Sequence, residues 1–346
     1  AGMRCLEDLL DMAPDRYEIT VIGEEPWGNY NRIMLSPVLA GDKTVDDIML
    51  HPHAWYAEKG IQLIAGDAAV KIDRPRKQVF TQSGQVVNYD RLILATGSQP
   101  FIPPIPGTEL DGVLSFRDIY DVNRMLEYCE QKQNAVVIGG GLLGLEAAYG
   151  LKQRGMNVTV LHLMDRIMDR QLDSKASQML KTAIEQKGIR ILTEANTETL
   201  LGENGHVKQV RLNDGTLLDA DLVVFAVGIR PNIALAQSAG LRCQRGVLVN
   251  DTMQSYDPSI YAVGECIEHR GQTFGLVEPL WGQAFICASH LAEHGSLTFK
   301  APTVPTQLKV SGCDVFSAGN FEPEDDFEDI VLKDEKRQIY KRIIIQ

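Results

Sequence analysis

Residues 135–148 read Ala-Val-Val-Ile-Gly-Gly-Gly-Leu-Leu-Gly-Leu-Glu-Ala-Ala. An apolar run leads into Gly139-x-Gly141-x-x-Gly144, and a helix-forming stretch follows. A glycine triplet alone is a weak signal, but one seated between a strand and a helix reads as a dinucleotide-binding turn. Gly139 permits the tight turn. Gly141 lets the backbone approach a pyrophosphate, with Leu142 and Leu143 opening the helix beside it. Gly144 lets the helix lie close to the sheet. The helix N-terminus then offers free N–H groups and a positive dipole end to the phosphates.

The chain also repeats itself. Residues 84–100 and 215–231 match at an offset of 131, through Gly84/Gly215, Asp90/Asp221, Ala95/Ala226, Gly97/Gly228 and Pro100/Pro231. Both copies run turn, short strand, Asp, buried apolar strand, Ala-x-Gly and Pro. In the second copy this unit lies 71 residues beyond Gly144, so the first predicts a glycine turn of its own upstream. The chain opens Ala1-Gly2-Met3-Arg4-Cys5-Leu6, and Gly2 ahead of an amphipathic helix reads as the last glycine of such a turn. Its strand and first two glycines are expected before residue 1. Gly2 and Gly84 are 82 residues apart, 11 more than in the second copy, which places an insertion in the Gly/Pro/Asn-rich residues 27–50.

The pattern predicts helix 3–12, strand 17–22, a meander at 68–88 and strand 91–96. The same order recurs as strand 135–138, helix 142–154, strand 157–162, helix 173–187, strand 189–193, a meander near 195–219 and strand 222–227. This is an α/β chain of two tandem Rossmann-like dinucleotide-binding domains, the second inserted in the first. The split outer domain is expected at 1–114 and 236–300, and the inserted one at 115–235. After 300 the pattern changes: Pro302 and Pro305 mark a linker, and residues 301–346 read as the start of a third, α+β domain. Its acidic cluster (Glu322, Glu324, Asp325, Asp326, Glu328, Asp329) reads as a solvated loop.

The net charge of −12 over 346 residues argues against nucleic acid and against an anionic membrane surface as partners. No apolar run approaches the roughly 20 residues that span a bilayer, and no secretory signal is visible. The six cysteines (Cys5, Cys129, Cys243, Cys266, Cys287, Cys313) include no Cys-x-x-Cys pair. That removes the usual zinc, iron–sulfur and dithiol signatures, and scattered thiols point to a reducing, cytoplasmic setting. The histidines have no metal-like grouping, and His51 and His53 read as surface residues.

With two such turns, Ala95-Thr-Gly97 and Tyr261-Ala-Val-Gly264-Glu265, the chain resembles the pyridine-nucleotide–disulfide oxidoreductases over about residues 1–300. That resemblance implies a glutathione-reductase-like arrangement, with FAD in the outer domain and NAD(P)H in the inserted one. Pro26-Trp-Gly-Asn-Tyr-Asn31-Arg32-Ile-Met-Leu35-Ser36, Gly139–Ala148, Gly228-Ile-Arg230-Pro231 and Gly264-Glu265-Cys266 are similar to the large subunit of the NAD(P)H nitrite reductases. That family implies siroheme and iron–sulfur domains far downstream, none of whose cysteines is present here.

The resemblance implies that Gly2, Glu24, Glu25, Arg32, Ser36, Ala69, Ala95, Thr96, Gly97, Gly264 and Glu265 line the FAD. Position 23 is Gly, so Glu24 or Glu25 must serve the adenosine ribose, because a carboxylate accepts from both hydroxyls. Arg32 would balance pyrophosphate charge, and Glu265 would reach a ribityl hydroxyl or merely cap a helix. Glu146, two residues past Gly144, is expected to orient the nicotinamide carboxamide; the bland reading is a first-turn Glu favoured by the helix dipole.

Two departures matter. The stretch Asn31–Ser36 holds no thiol, so the flavin is not expected to pass electrons to a protein cysteine. The acid expected about 20 residues beyond the glycines is His162. A neutral His hydrogen-bonds a ribose and repels no 2′-phosphate, and nearby Arg166 could accept one; NADH is favoured and NADPH stays open. The expected activity is electron transfer from NAD(P)H through FAD to an iron–sulfur or siroheme centre elsewhere in the chain or in a partner, with nitrite reduced to ammonium. A rubredoxin or ferredoxin reductase, an electron-transfer subunit of nitrate assimilation and an NADH-sensing flavoprotein are the alternatives, and a homodimer is compatible with each.

Overall fold

The computed structural model describes residues 1–295, 297–302, 305–308, 313–322, 327–334 and 337–345. Glu324, Asp325 and Asp326 of the acidic cluster lie outside the described residues. The described helices are α1 (Gly2–Met12), α2 (Leu35–Ala40), α3 (His53–Glu58), α4 (Ile119–Gln131), α5 (Leu142–Gln153), α6 (Ser174–Glu185), α7 (Ala234–Ser238) and α8 (Val277–Leu291). The chain forms two compact units. The first comprises residues 1–31, 48–99 and 229–302; the second comprises 32–47, 100–228 and 303–346.

In the first unit, α1 buries Cys5, Leu6 and Leu9, the amphipathic face that the sequence predicted. Strand Thr20–Gly23 runs parallel to Gln62–Ala65, and Leu92–Leu94 runs parallel to Ile260–Ala262. The meander forms as Ala69–Asp73, Gln78–Thr81 and Val86–Asn88. Several elements had not been predicted, among them Gln62–Ala65 and α8. Helix α8 buries Leu280, Ala284, Cys287, Ala288 and Leu291, a recurrence of three and four that fits a core-facing helix. Its Pro279 stands in the first turn, where a missing N–H costs nothing. The core of this unit joins Cys5, Leu9, Leu94, Ala262, Cys266 and Cys287.

His51, expected at the surface, is buried. It packs against the Trp55 ring at 4.1 Å between centroids, and its ring nitrogens meet Glu7 at 3.0 Å and Asn29 at 3.1 Å. The reason is the antiparallel pairing of Asn29–Tyr30 with Met49–His51, which folds the 27–50 insertion back on itself.

The second unit is built on a five-stranded parallel sheet. Its order is Val113–Ser115, Leu222–Phe225, Asn134–Ile138, Asn157–Leu161 and Ile189–Leu192. The strands Asn134–Ile138 and Leu222–Phe225 are nearly continuous apolar runs, as strands buried on both faces must be. An antiparallel meander, Thr197–Glu203, His206–Leu212 and Leu217–Asp219, intervenes before Leu222. The α4 helix, also not predicted, starts at Asp118, whose carboxylate accepts from Asp121 N–H. That cap contributes about 1 kcal/mol.

Two antiparallel pairs follow from residue 306: Thr306–Leu308 with Val315–Ser317, and Glu328–Asp334 with Ile339–Ile345. The second pair is tied to the start of α6. Tyr340 Oη donates to Asp173 Oδ2 at 2.7 Å, and Arg342 Nη1 donates to the same oxygen at 3.2 Å. Among the described residues, no helix is long and apolar enough to cross a membrane.

Candidate cofactor-binding sites

The glycine turn of the second unit sits where strand Asn134–Ile138 hands over to α5. Gly139 has φ +123, and a Cβ there would lie 2.3 Å from the Ala226 carbonyl oxygen. A Cβ on Gly144 would lie 1.9 Å from the Gly139 carbonyl oxygen. Both positions therefore require glycine for the backbone to close. Gly141 differs: a Cβ there would meet nothing within 4 Å. Gly141 is also the N-cap of α5, with no side chain capping the first turn. An open face beside uncapped amides suits an anionic group at a helix N-terminus, so the residues present fit a dinucleotide pyrophosphate. Leu142 and Leu143 open the helix, and Gly228, at φ +115, also borders open space.

The loop beyond strand Asn157–Leu161 wraps this turn. Gly140 N–H donates to His162 Nδ1 at 3.1 Å, and Met168 N–H donates to the Gly140 carbonyl at 2.9 Å. An Nδ1 that accepts carries no proton, so Nε2 holds it and donates to Asp169 Oδ1 at 3.1 Å. His162 thus has both ring nitrogens engaged within the protein, as a brace for the glycine turn. Arg166 is paired with Glu322, Nη2 to Oε1 at 2.8 Å.

Glu146 lies in the first turns of α5. Ser36 Oγ, on α2, donates to its Oε2 at 2.6 Å. Burial raises the carboxyl above its ordinary range, and the Ser36 bond pulls it back in part. The side chain is partly buried and is held by a hydroxyl from another helix. Arg32, just ahead of α2, gives an Nη1 hydrogen bond to the Arg117 carbonyl at 2.5 Å. The structure thus joins Ser36 to Glu146 in the second unit, to which Arg32 also belongs.

In the first unit, the remaining residues expected along FAD gather around the ends of Thr20–Gly23 and Leu92–Leu94. Gly2 opens α1, and a Cβ on it would lie 2.7 Å from Ala95 Cβ. Ala95 is nevertheless exposed, so this close pair borders an open face. Thr96 Oγ1 donates to the Asn232 carbonyl at 2.7 Å, and the Gly97 carbonyl accepts from Asn232 N–H at 2.9 Å. Ser98 Oγ donates to Glu265 Oε2 at 2.8 Å, which holds the carboxylate immediately after Gly264. Glu25 accepts from Tyr30 Oη at 2.7 Å, while Glu24 is exposed. Ala69 begins the meander, paired with Thr81.

Gln283 was not anticipated. It is fully buried in α8, and its Oε1 accepts from Gly264 N–H at 2.8 Å. Its Nε2 has no hydrogen-bond partner among the described residues. A fully buried amide with a spare donor beside Gly264 and Glu265 is the kind of group a bound polar ligand satisfies. With the open face at Ala95, it makes the first unit fit a second dinucleotide. The signal in the sequence was a polar residue on the apolar face of a helix that had not itself been identified.

The cysteines stand apart from this chemistry. Cys5, Cys266 and Cys287 are fully buried, and all six are free. The Cys287 thiol is pushed up by its contact with Cys5 and then by burial. Burial likewise raises Cys266. Raised thiols are poor nucleophiles.

Comparisons with known proteins agree with this geometry. The model of the pyridine nucleotide-disulphide oxidoreductase family matches residues 1–283, and that of the rubredoxin NAD+ reductase C-terminal domain matches 305–346. The chain is 48% identical over 346 residues to the NAD(P)H nitrite reductase of Bacillus subtilis (strain 168), covering 100% of this chain and 43% of that protein. It is 43% identical over 344 residues to the assimilatory nitrate reductase electron transfer subunit of the same organism, covering 99% and 44%. The chain thus spans less than half the length of these curated relatives. The crystal structure of a ferredoxin reductase from Rhodopseudomonas palustris superposes with a TM-score of 0.89 at 26% identity, covering 100% of this chain and 86% of that one. The resemblance carried by Pro26–Ser36 and Gly139–Ala148 is borne out, and so is the fold class. The chain belongs to the pyridine nucleotide-disulphide oxidoreductase family, whose members bind FAD and NAD(P)H.

Proposed function

We propose that this chain is the electron-input part of a longer nitrite-reducing enzyme. It takes reducing equivalents from NAD(P)H and delivers them to an iron–sulfur or siroheme centre outside these residues. Bound FAD would accept a hydride from the nicotinamide and release single electrons onward. The chain's own residues position and exclude. Gly139, Gly141, Leu142, Leu143 and Gly144 would seat the NAD(P)H pyrophosphate. Gly2, Ala95, Thr96, Gly97, Gly264 and Glu265 would seat FAD, with Glu24 or Glu25 toward the ribose and Ala69 beside it. We assign FAD to the outer part of the chain and NAD(P)H to the inserted part.

The observation that carries this reading is the partly buried Glu146 held by Ser36 on the helix that begins at the glycine turn. A carboxyl with one oxygen fixed leaves the other to orient an amide. In the full-length protein, Glu146→Ala should slow flavin reduction by NADH about tenfold to a hundredfold, the scale of a lost hydrogen bond to a charged group. Unchanged nicotinamide affinity and an unchanged reduction rate would overturn this role. The acceptor is tested separately, by NADH-dependent consumption of nitrite.

One observation favours a second reading. The match of residues 305–346 to the rubredoxin NAD+ reductase C-terminal domain suits a reductase of a small iron–sulfur protein. Rapid NADH-dependent reduction of rubredoxin, with no nitrite consumed, would select it. A cytoplasmic location and a homodimer belong to the proposal too, checked by cell fractionation and by sedimentation velocity.

A further inference from the structure

We propose that Glu322, from the segment after residue 300, sets the choice between NADH and NADPH by occupying Arg166. This rests on the reading of the second unit as the nicotinamide-nucleotide site. In units of this kind an acid at the end of the second strand binds the ribose and repels a 2′-phosphate, and a nearby Arg accommodates one. Here the acid's position holds His162, whose nitrogens are taken by Gly140 and Asp169. Arg166, four residues on, is the cation in place to receive a 2′-phosphate. Its Nη2 donates to Glu322 Oε1 at 2.8 Å, its Nη1 lies 3.8 Å from Asp165 Oδ2, and its Nε is buried without a hydrogen-bond partner.

Glu322 is held for this task. Its own N–H donates to Asn320 Oδ1 at 3.1 Å. The preceding carbonyl, Phe321, accepts from Arg342 Nη1 at 3.3 Å, and Arg342 is anchored on Asp173 at the start of α6. The carboxylate missing from position 162 is thus supplied from about 160 positions further along the chain. With Asp165 it sets two carboxylates against the Arg166 guanidinium, which disfavours a dianionic 2′-phosphate and leaves a 2′-hydroxyl unaffected.

The test is direct binding of NADP+ and NAD+ to the full-length protein, by calorimetry at low salt, in wild type and Glu322→Gln. The ratio of NADP+ to NAD+ affinity should rise about fivefold or more in the variant. At 1 M salt, where the Debye length is about 3 Å, most of that gain should vanish. Adding Arg166→Gln should return the ratio to the wild-type value. If NAD+ binds and Glu322→Gln leaves the ratio within about twofold of wild type, the proposal is overturned; a gain insensitive to salt overturns its electrostatic basis. If neither nucleotide binds wild type, the nucleotide-site reading fails, and this inference with it.

Discussion

Ser36 Oγ and Glu146 Oε2 are 2.6 Å apart, joining positions 110 residues distant in the chain. Burial favours the protonated carboxyl and the serine hydroxyl favours the ionised one. Ser36→Ala removes the opposing influence, so Glu146 should titrate at higher pH than in wild type. The acid limb of the pH profile for flavin reduction by NADH should move upward, and Ser36→Thr should largely restore it. Superimposable wild-type and Ser36→Ala profiles would show that the bond does not tune this carboxyl.

The glycine turn offers a contrast between two alanine variants. Gly144→Ala puts a Cβ 1.9 Å from a carbonyl oxygen, so it should cost about 1–3 kcal/mol of stability, the usual scale of overpacking, and abolish NAD+ binding. Gly141→Ala meets open space. It should melt like wild type yet bind NAD+ at least about tenfold more weakly, because the methyl occupies the approach to the pyrophosphate. Wild-type affinity in Gly141→Ala would place the nucleotide elsewhere.

Gln283→Leu keeps the side-chain volume nearly constant and removes the acceptor for Gly264 N–H. A buried donor left unpaired costs about 1–3 kcal/mol. We expect a lower urea midpoint and a purified protein with less FAD per chain. Full flavin content at an unchanged midpoint would mean that Gln283 is only a space-filling residue.

Asp121 gives a pH dependence of stability. Burial, then the neighbouring Asp118, pushes its carboxyl up to about 6, against hydrogen bonds from Ser115 Oγ and Arg117 N–H. Between the ordinary carboxylate range and pH 6 the folded state holds a proton that the unfolded state has lost. Stability should therefore fall as pH rises through that window, by at most about 3 kcal/mol. Asp121→Asn should flatten this segment of the curve in urea melts taken from pH 4 to 7. A slope equal to that of wild type would assign the effect to another group.

Much of the architecture was legible because its signals are local. The repeat at 84–100 and 215–231 and the strand–glycine–helix passage at 135–148 each lie within a few turns of chain. What escaped was set by distant partners. Helix α2 is six residues long with Pro37 inside it, too short for a period to show, and it is held from outside by Arg154. His51 reads as polar surface until Met49–His51 pairs with Asn29–Tyr30. Gln283 looks like an interruption of an apolar face until Gly264 N–H is seen to need an acceptor. Glu322 lies in an acidic run whose composition suggests solvent, and only the fold brings it to Arg166.

Arg154, the C-cap of α5, donates through Nε to the Leu39 carbonyl at 2.7 Å and through Nη2 to the Val38 carbonyl at 3.0 Å. Leu39 itself is completely buried. The helix that starts at the glycine turn is thus clamped to α2 at both of its ends, by Ser36 at one and by Arg154 at the other. Transplanting residues 100–228 alone into another protein would strip α5 of that clamp, leaving a cation without its carbonyls, an apolar socket without Leu39 and a carboxyl without its hydroxyl. Any recombination that moves this unit intact must carry 32–47 with it, although those residues lie far upstream in the chain.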